Sequence, residues 1–190
     1  HADIRDLSEG AETTWFHDEG YDSASSKILN AELMDRVYDL VKDVEVVTTE
    51  RTRNYMAAAF DNAEWATRDP KVLRGTTVSG DNYWKGAHDH ANAVLMTETY
   101  NCPDPLTEME DAAMAVVLDR LGMLDRYIII RDSVNMDVFM NGTTAESLWS
   151  SDESLASDES VESADIFATA MENNFKVGSV VIQAILDGTL

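Results

Sequence analysis

Three short polar motifs, each placed where an apolar segment meets a loop or a helix, constrain this chain more than any other feature. They are Val78-Ser79-Gly80-Asp81-Asn82-Tyr83-Trp84, Thr107-Glu108-Met109-Glu110-Asp111-Ala112-Ala113 and Ile128-Ile129-Ile130-Arg131-Asp132-Ser133-Val134-Asn135. In α/β sheets, ligands bind at the carboxyl ends of strands. An aromatic, a Met-Glu pair and an Arg…Asn end at such junctions suit a pocket for a base and a sugar.

The intervening patterns support an α/β reading. Leu29, Leu33, Val37, Leu40, Val41 and Val44 recur at helical spacing, with Asn30 as the N-cap and an end near Asp43. Val44 to Thr49 is β-branched and reads as a strand. Tyr55 to Phe60 is open between helix and strand. Val72 to Ser79 reads as a strand closed by Gly80-Asp81, and Gly86 to Tyr100 as a helix broken by Pro103 and Pro105. Met109, Ala112, Ala113, Val116, Val117, Leu121 and Leu124 form one apolar helical stripe with Gly122 near its end. Tyr127 to Arg131 reads as a buried strand. Ala164, Phe167, Ala168, Met171 and Phe175 predict one helical face, Val180, Val181, Ala184 and Ile185 another after Gly178, and Asp187-Gly188 a stop. Residues 150–162 hold a duplicated Ser-Asp-Glu-Ser, an acidic, Ser-rich loop by composition. Sheets average about five or six strands, and fewer are legible here, so the chain is expected to hold part of a larger sheet.

Charge narrows the partners. Thirty-six acidic residues against fourteen basic ones give a net charge of −22. Such a chain repels phosphate backbones and anionic membrane surfaces, so no nucleic acid is expected. Hydrophobic residues make up 44%, enough for a globular core. No apolar run approaches the roughly 20 residues of a bilayer span. A start at His1 without a signal peptide suits a processed product, and the Asn141-Gly142-Thr143 sequon supports a secreted or extracytoplasmic location. The lone Cys102 excludes an intrachain disulfide.

Each motif has an ordinary explanation beside a functional one. Acids at Glu108, Glu110 and Asp111 suit the positive end of a helix. A carboxylate there also accepts hydrogen bonds from both hydroxyls of a cis-diol, and Met109 offers a soft face to a sugar ring. Tyr83 or Trp84 either covers the core or stacks on a purine. Arg131 either forms an ion pair, with Asp132 or Asp137, or lines the pocket. An amide at Asn135 can hydrogen-bond a 6-oxopurine, and stabilising a leaving base eases glycosidic cleavage. His88-Asp89-His90 does not present both rings on one helix face, so no metal is expected. No Gly-rich phosphate loop or nucleophile elbow is present.

In order and spacing these motifs resemble the nucleoside phosphorylase superfamily and, more closely, the purine nucleoside permease family. The resemblance runs through Arg74 to Trp84, Thr107 to Asp111, Arg131 to Asn135 and the C-terminal Asn174-Phe175-Lys176-Val177-Gly178-Ser179. It implies a three-layer α/β/α sandwich with a mixed sheet, incomplete here, with residues 1–190 as the C-terminal part of one domain. It implies Tyr83 and Trp84 against the base, Met109 and Glu110 on the ribose, Arg131 in the site, and Asn135, with Asp137 as an uncertain substitute, at the catalytic or base-recognising position. Asn135 cannot act as an ordinary acid, which leaves binding or hydrogen-bond stabilisation. The implied function is purine nucleoside binding and uptake, without a cofactor. The alternatives are a nucleoside-cleaving enzyme, with phosphate as co-substrate or with water, and a non-catalytic storage or interaction protein. A second chain carrying the N-terminal half and a homo-oligomeric assembly are also expected.

Overall fold

The computed structural model describes residues 27–80, 105–134, 141–142 and 161–190. Helix α1 spans Ala31–Val41, and the Asn30 side chain accepts from the Leu33 N–H at 3.1 Å, the predicted cap. Helix α2 covers Glu50–Ala59, so the open Tyr55–Phe60 segment is helix through Ala59 with Phe60 as its C-cap. Thr49 caps it, accepting from the Thr52 N–H at 3.0 Å. The Thr49 hydroxyl also donates to Asp165. A short helix α3, Glu64–Thr67, follows, and its Trp65 ring tilts against Phe60 at 4.9 Å between centroids.

Strand β1, Thr76–Ser79, pairs in parallel with β2, Pro105–Glu108, in a register that sets Thr76 opposite Pro105 and Ser79 opposite Glu108. Strand β2 is not among the expected strands, since Pro103 and Pro105 signal only a helix break in the sequence. Proline is admissible as the first residue of a strand, where its missing N–H leaves the rest of the ladder intact. Helix α4, Asp111–Arg120, starts directly beyond β2, and a 3₁₀ turn follows at Leu124–Arg126. The last helix, α5, runs unbroken over Val161–Leu186.

Glycine closes α4 and α5 where the sequence placed it. Gly122, at φ +66°, lets its own N–H reach the Asp119 carbonyl and the Met123 N–H reach that of Leu118. Gly188, at φ +69°, repeats this with Ile185 and Ala184. Both are Schellman closures, which require a left-handed residue. Gly178 does not divide α5. A helical glycine costs about 1 kcal/mol relative to alanine, too little to break a helix held along its length by packing.

The core lies between α1 and α5, where Val37, Val41, Val177 and Val181 are buried and Leu33, Val44, Val46, Val72, Ile128 and Ile130 pack around them. Two predicted strands are corrected. Residues 44–49 and 127–131 have no ladder partner among the described residues and take no regular secondary structure. Their apolar side chains still reach the core, so the burial was read correctly and the pairing was not. The predicted faces of α4 and of the first part of α5 are corrected too, whereas Val181 and Ala184 of the second predicted α5 face are buried as expected. On α5 the buried residues are Ala170, Asn173, Val177, Val181 and Ala184, whereas Phe167, Met171 and Phe175 are exposed. On α4 Ala115 is buried, and Val117 and Leu121 are exposed.

The mixture of helices with a parallel strand pair is α/β in kind. Among the described residues no helix is long and apolar enough to cross a membrane. Gly86 to Tyr100, Cys102, the His88-Asp89-His90 group and residues 150–160 of the acidic loop lie outside the described residues.

Candidate functional site

The ends of β1 and β2 meet the first turn of α4, and the register makes that junction. Because Ser79 lies opposite Glu108, the Ser79 hydroxyl donates to the Glu108 carboxylate. The Ser79 oxygen in turn accepts from the Ala112 N–H at 2.8 Å. Glu108 accepts from the N–H groups of Glu110 at 2.6 Å and Asp111 at 2.7 Å. These are donors that the first turn of a helix leaves without intrahelical partners. Glu108 thus caps α4 from the strand before it, and it is buried at 6% exposure. The acid expected to cap the helix is present, but it stands two residues before Glu110, whose own side chain makes no cap hydrogen bond.

Arg131 closes the arrangement. Its Nε and Nη2 reach the two oxygens of buried Asp111 at 3.2 and 2.8 Å, a two-pronged pairing. Nη2 also lies 2.9 Å from Glu110 Oε2 and 3.5 Å from Glu108 Oε2. The hydrogen bonds that Arg131 donates to Asp111 are the main cause that raises its pKa, burial opposes them, and the bond donated to Glu110 adds to them. The guanidinium is therefore a fixed positive charge among three carboxylates. Tyr127 donates to Asp111 at 3.3 Å, and burial, then the Asp111 charge, pushes its phenol up. Arg131 forms an ion pair, but not with Asp132 as expected: among the described residues its partners are Asp111, Glu110 and Glu108, and Asp137 lies outside them.

The next residue looks the other way. Asp132 accepts from the Asn173 amide of α5 at 3.3 Å. Burial raises its pKa, against hydrogen bonds from Asn173 and the Ser133 N–H that lower it.

The structure brings Met109, Glu110 and Arg131 together at one junction. Glu110 has a side chain 67% exposed and Met109 is 42% exposed, so both are accessible beside the buried Glu108 and Asp111. Tyr83, Trp84, Asn135 and Asp137 lie outside the described residues. Asn141 is exposed and sits by the end of α2, its N–H on the Ala59 carbonyl at 2.7 Å and its amide on Asp61 at 2.6 Å. Sequence reasoning missed Ser79, Tyr127 and Asn173 as members of these networks. For Ser79 the signal was its place at the end of a strand that pairs with the strand of Glu108. For Asn173 it was a lone amide on a face of small apolar residues.

The family model of the purine nucleoside permease (NUP) matches residues 9–189. A probable purine nucleoside permease of Schizosaccharomyces pombe is 26% identical over 128 residues, which are 62% of this chain and 35% of that protein. The chain thus spans about a third of the length of the curated relative it matches. No solved structure matches.

Proposed function

We propose, since this chain belongs to the purine nucleoside permease family, that it recognises a purine nucleoside outside the cytoplasm and delivers it by binding rather than by conduction. The observation that carries this reading is the junction of β2 with α4. There an exposed carboxylate, Glu110, stands beside Met109 and is steadied by Arg131 at 2.9 Å. Arg131 holds Oε2 of Glu110, and Oε1 is left to accept from a ribose hydroxyl. The Met109 thioether lies against the sugar ring, a contact suited to a soft and polarisable group. Tyr83 and Trp84 supply the face for the base, and Asn135 the hydrogen bonds to its edge. The fold we assign is the phosphorylase-like three-layer sandwich, supported by a parallel strand pair that delivers Glu108 into a helix N-terminus. The sequon that begins at the exposed Asn141 supports the extracytoplasmic placement.

Incubation with inosine or adenosine, with and without phosphate, separates this reading from cleavage. Calorimetric binding with no release of free base is the expected result. Release of hypoxanthine or adenine would replace the carrier by an enzyme, and dependence on phosphate would identify the acceptor. No binding and no release would leave a storage or interaction protein.

A further inference from the structure

Asn173 is a buried amide on α5, 7% exposed, among small apolar neighbours. Its oxygen accepts from the Val47 N–H at 2.9 Å, and its nitrogen donates to the Val47 carbonyl at 3.0 Å. It therefore binds both backbone groups of one residue of the 44–49 segment, as a residue of a neighbouring antiparallel strand would. The same nitrogen donates to Asp132 Oδ2 at 3.3 Å. A buried amide committed to three hydrogen bonds is costly to disturb, because each group left behind loses its partner away from water.

The position of Asp132 gives this clamp a consequence. Arg131, its neighbour in the chain, grips Glu110 and Asp111 at the head of α4. One end of this dipeptide is pinned to α4 and the other to α5. We propose that Asn173 is a positioning residue: by holding Asp132 it sets where Arg131 stands, and so how Glu110 is presented. The proposal rests on the nucleoside reading above for the purpose of the site, and on the hydrogen bonds alone for the coupling.

The N173D variant tests it through pH. An ionised carboxylate at this position loses both donors and faces the Val47 carbonyl and the Asp132 carboxylate. Asp132 is the titratable group in contact with Asn173 among the described residues. The 44–49 segment presents the Val47 peptide, and Glu172 and Lys176 of α5 pair with each other at 2.8 Å. Two adjoining carboxylates raise the pKa of one of them, so lowering the pH protonates that one and restores a donor.

Amide hydrogen exchange of the full chain, each variant against wild type at the same pH, is the primary readout. N173D should exchange faster than wild type over 44–49, 127–134 and 107–112 at pH 7.5, and the excess should shrink at pH 5. Inosine affinity should fall about tenfold at pH 7.5, the size expected for a lost buried hydrogen bond, and recover at pH 5. D132A, which leaves the Val47 clamp intact, should loosen 107–112 but not 44–49. Wild-type exchange over 107–112 in D132A, or loosening confined to 44–49 in N173D, would reduce Asn173 to a local brace and overturn the proposal. If wild type binds no inosine, the nucleoside reading falls by itself, and the exchange pattern still decides the coupling.

Discussion

The valine cluster between α1 and α5 and the charged hub at the head of α4 hold the chain by opposite means. Val37, Val41, Val177 and Val181 are 4–7% exposed and bury only hydrocarbon. Their attraction is non-directional and roughly proportional to the area removed from water. The hub contains Glu108 and Asp111, buried to a similar degree, and is kept in place by directed bonds from Ser79, Arg131, Tyr127 and the first N–H groups of α4. A hydrocarbon cluster tolerates imperfect shape, losing stability by degrees. A buried carboxylate tolerates no missing partner. The first region is therefore suited to supporting a fold, and the second to fixing side chains where a ligand can use them.

That contrast can be broken at either end. The largest effect is expected for R131M, which keeps much of the side-chain volume and strips the buried Asp111 of its counter-charge. Unfolding in urea should show a loss of about 2–4 kcal/mol, accompanied by loss of nucleoside binding. A variant as stable as wild type would mean that the hub carries no structural weight. V181A should cost less, about 1.5–3 kcal/mol from lost burial and the cavity left behind. Its inosine affinity, measured at a temperature where the variant remains folded, should stay within about twofold of wild type, since methyl groups in the valine cluster set no ligand contact. A larger change would join the two regions that the comparison separates.

The smallest effect concerns Asp132, at the border between them. Burial holds its carboxyl above the ordinary range, so the folded state binds this proton more tightly than the unfolded chain. Its contribution to stability therefore falls as pH rises through the window between the unfolded and the raised folded pKa. D132N, which cannot ionise and keeps an amide oxygen for Asn173, should be slightly more stable than wild type at pH 7. The gap should close as pH falls through that window. Denaturation at pH 7 and pH 4 reads both values, and a gap that widens on acidification would reverse the assigned sign.

The same contrast explains what could be read from the sequence. Asn30, Gly122 and Gly188 act through their own backbone or a neighbour three residues away, and their roles were legible because local chemistry decides them. The pairing of 44–49 and 127–131 was not, since a strand needs a partner and an apolar run does not say who that partner is. At Val47 the partner is the amide of Asn173, more than a hundred residues away in sequence. Bulk is a poor guide to the buried face of α4 and of the first part of α5, whereas Val181 and Ala184 are buried as expected. Phe167, Met171 and Phe175 are the larger residues, yet α5 lies against its neighbours through Ala170, Val177, Val181 and Ala184. In the hub, the acids at 108, 110 and 111 were visible together, but their division of labour was not. It follows from the parallel register of β1 and β2, which brings Ser79 to Glu108 and leaves Glu110 to Arg131.

Calorimetric titration of inosine into wild type and E110A tests the central claim most directly, that the head of α4 presents a carboxylate to the sugar of a nucleoside. Glu110 is largely exposed and caps nothing with its side chain, so the variant should fold with little change in stability. Wild type is expected to bind saturably, and E110A to lose about 1.5–3 kcal/mol of affinity, the worth of a hydrogen bond to a charged group. Unchanged affinity in a folded E110A protein would contradict the account.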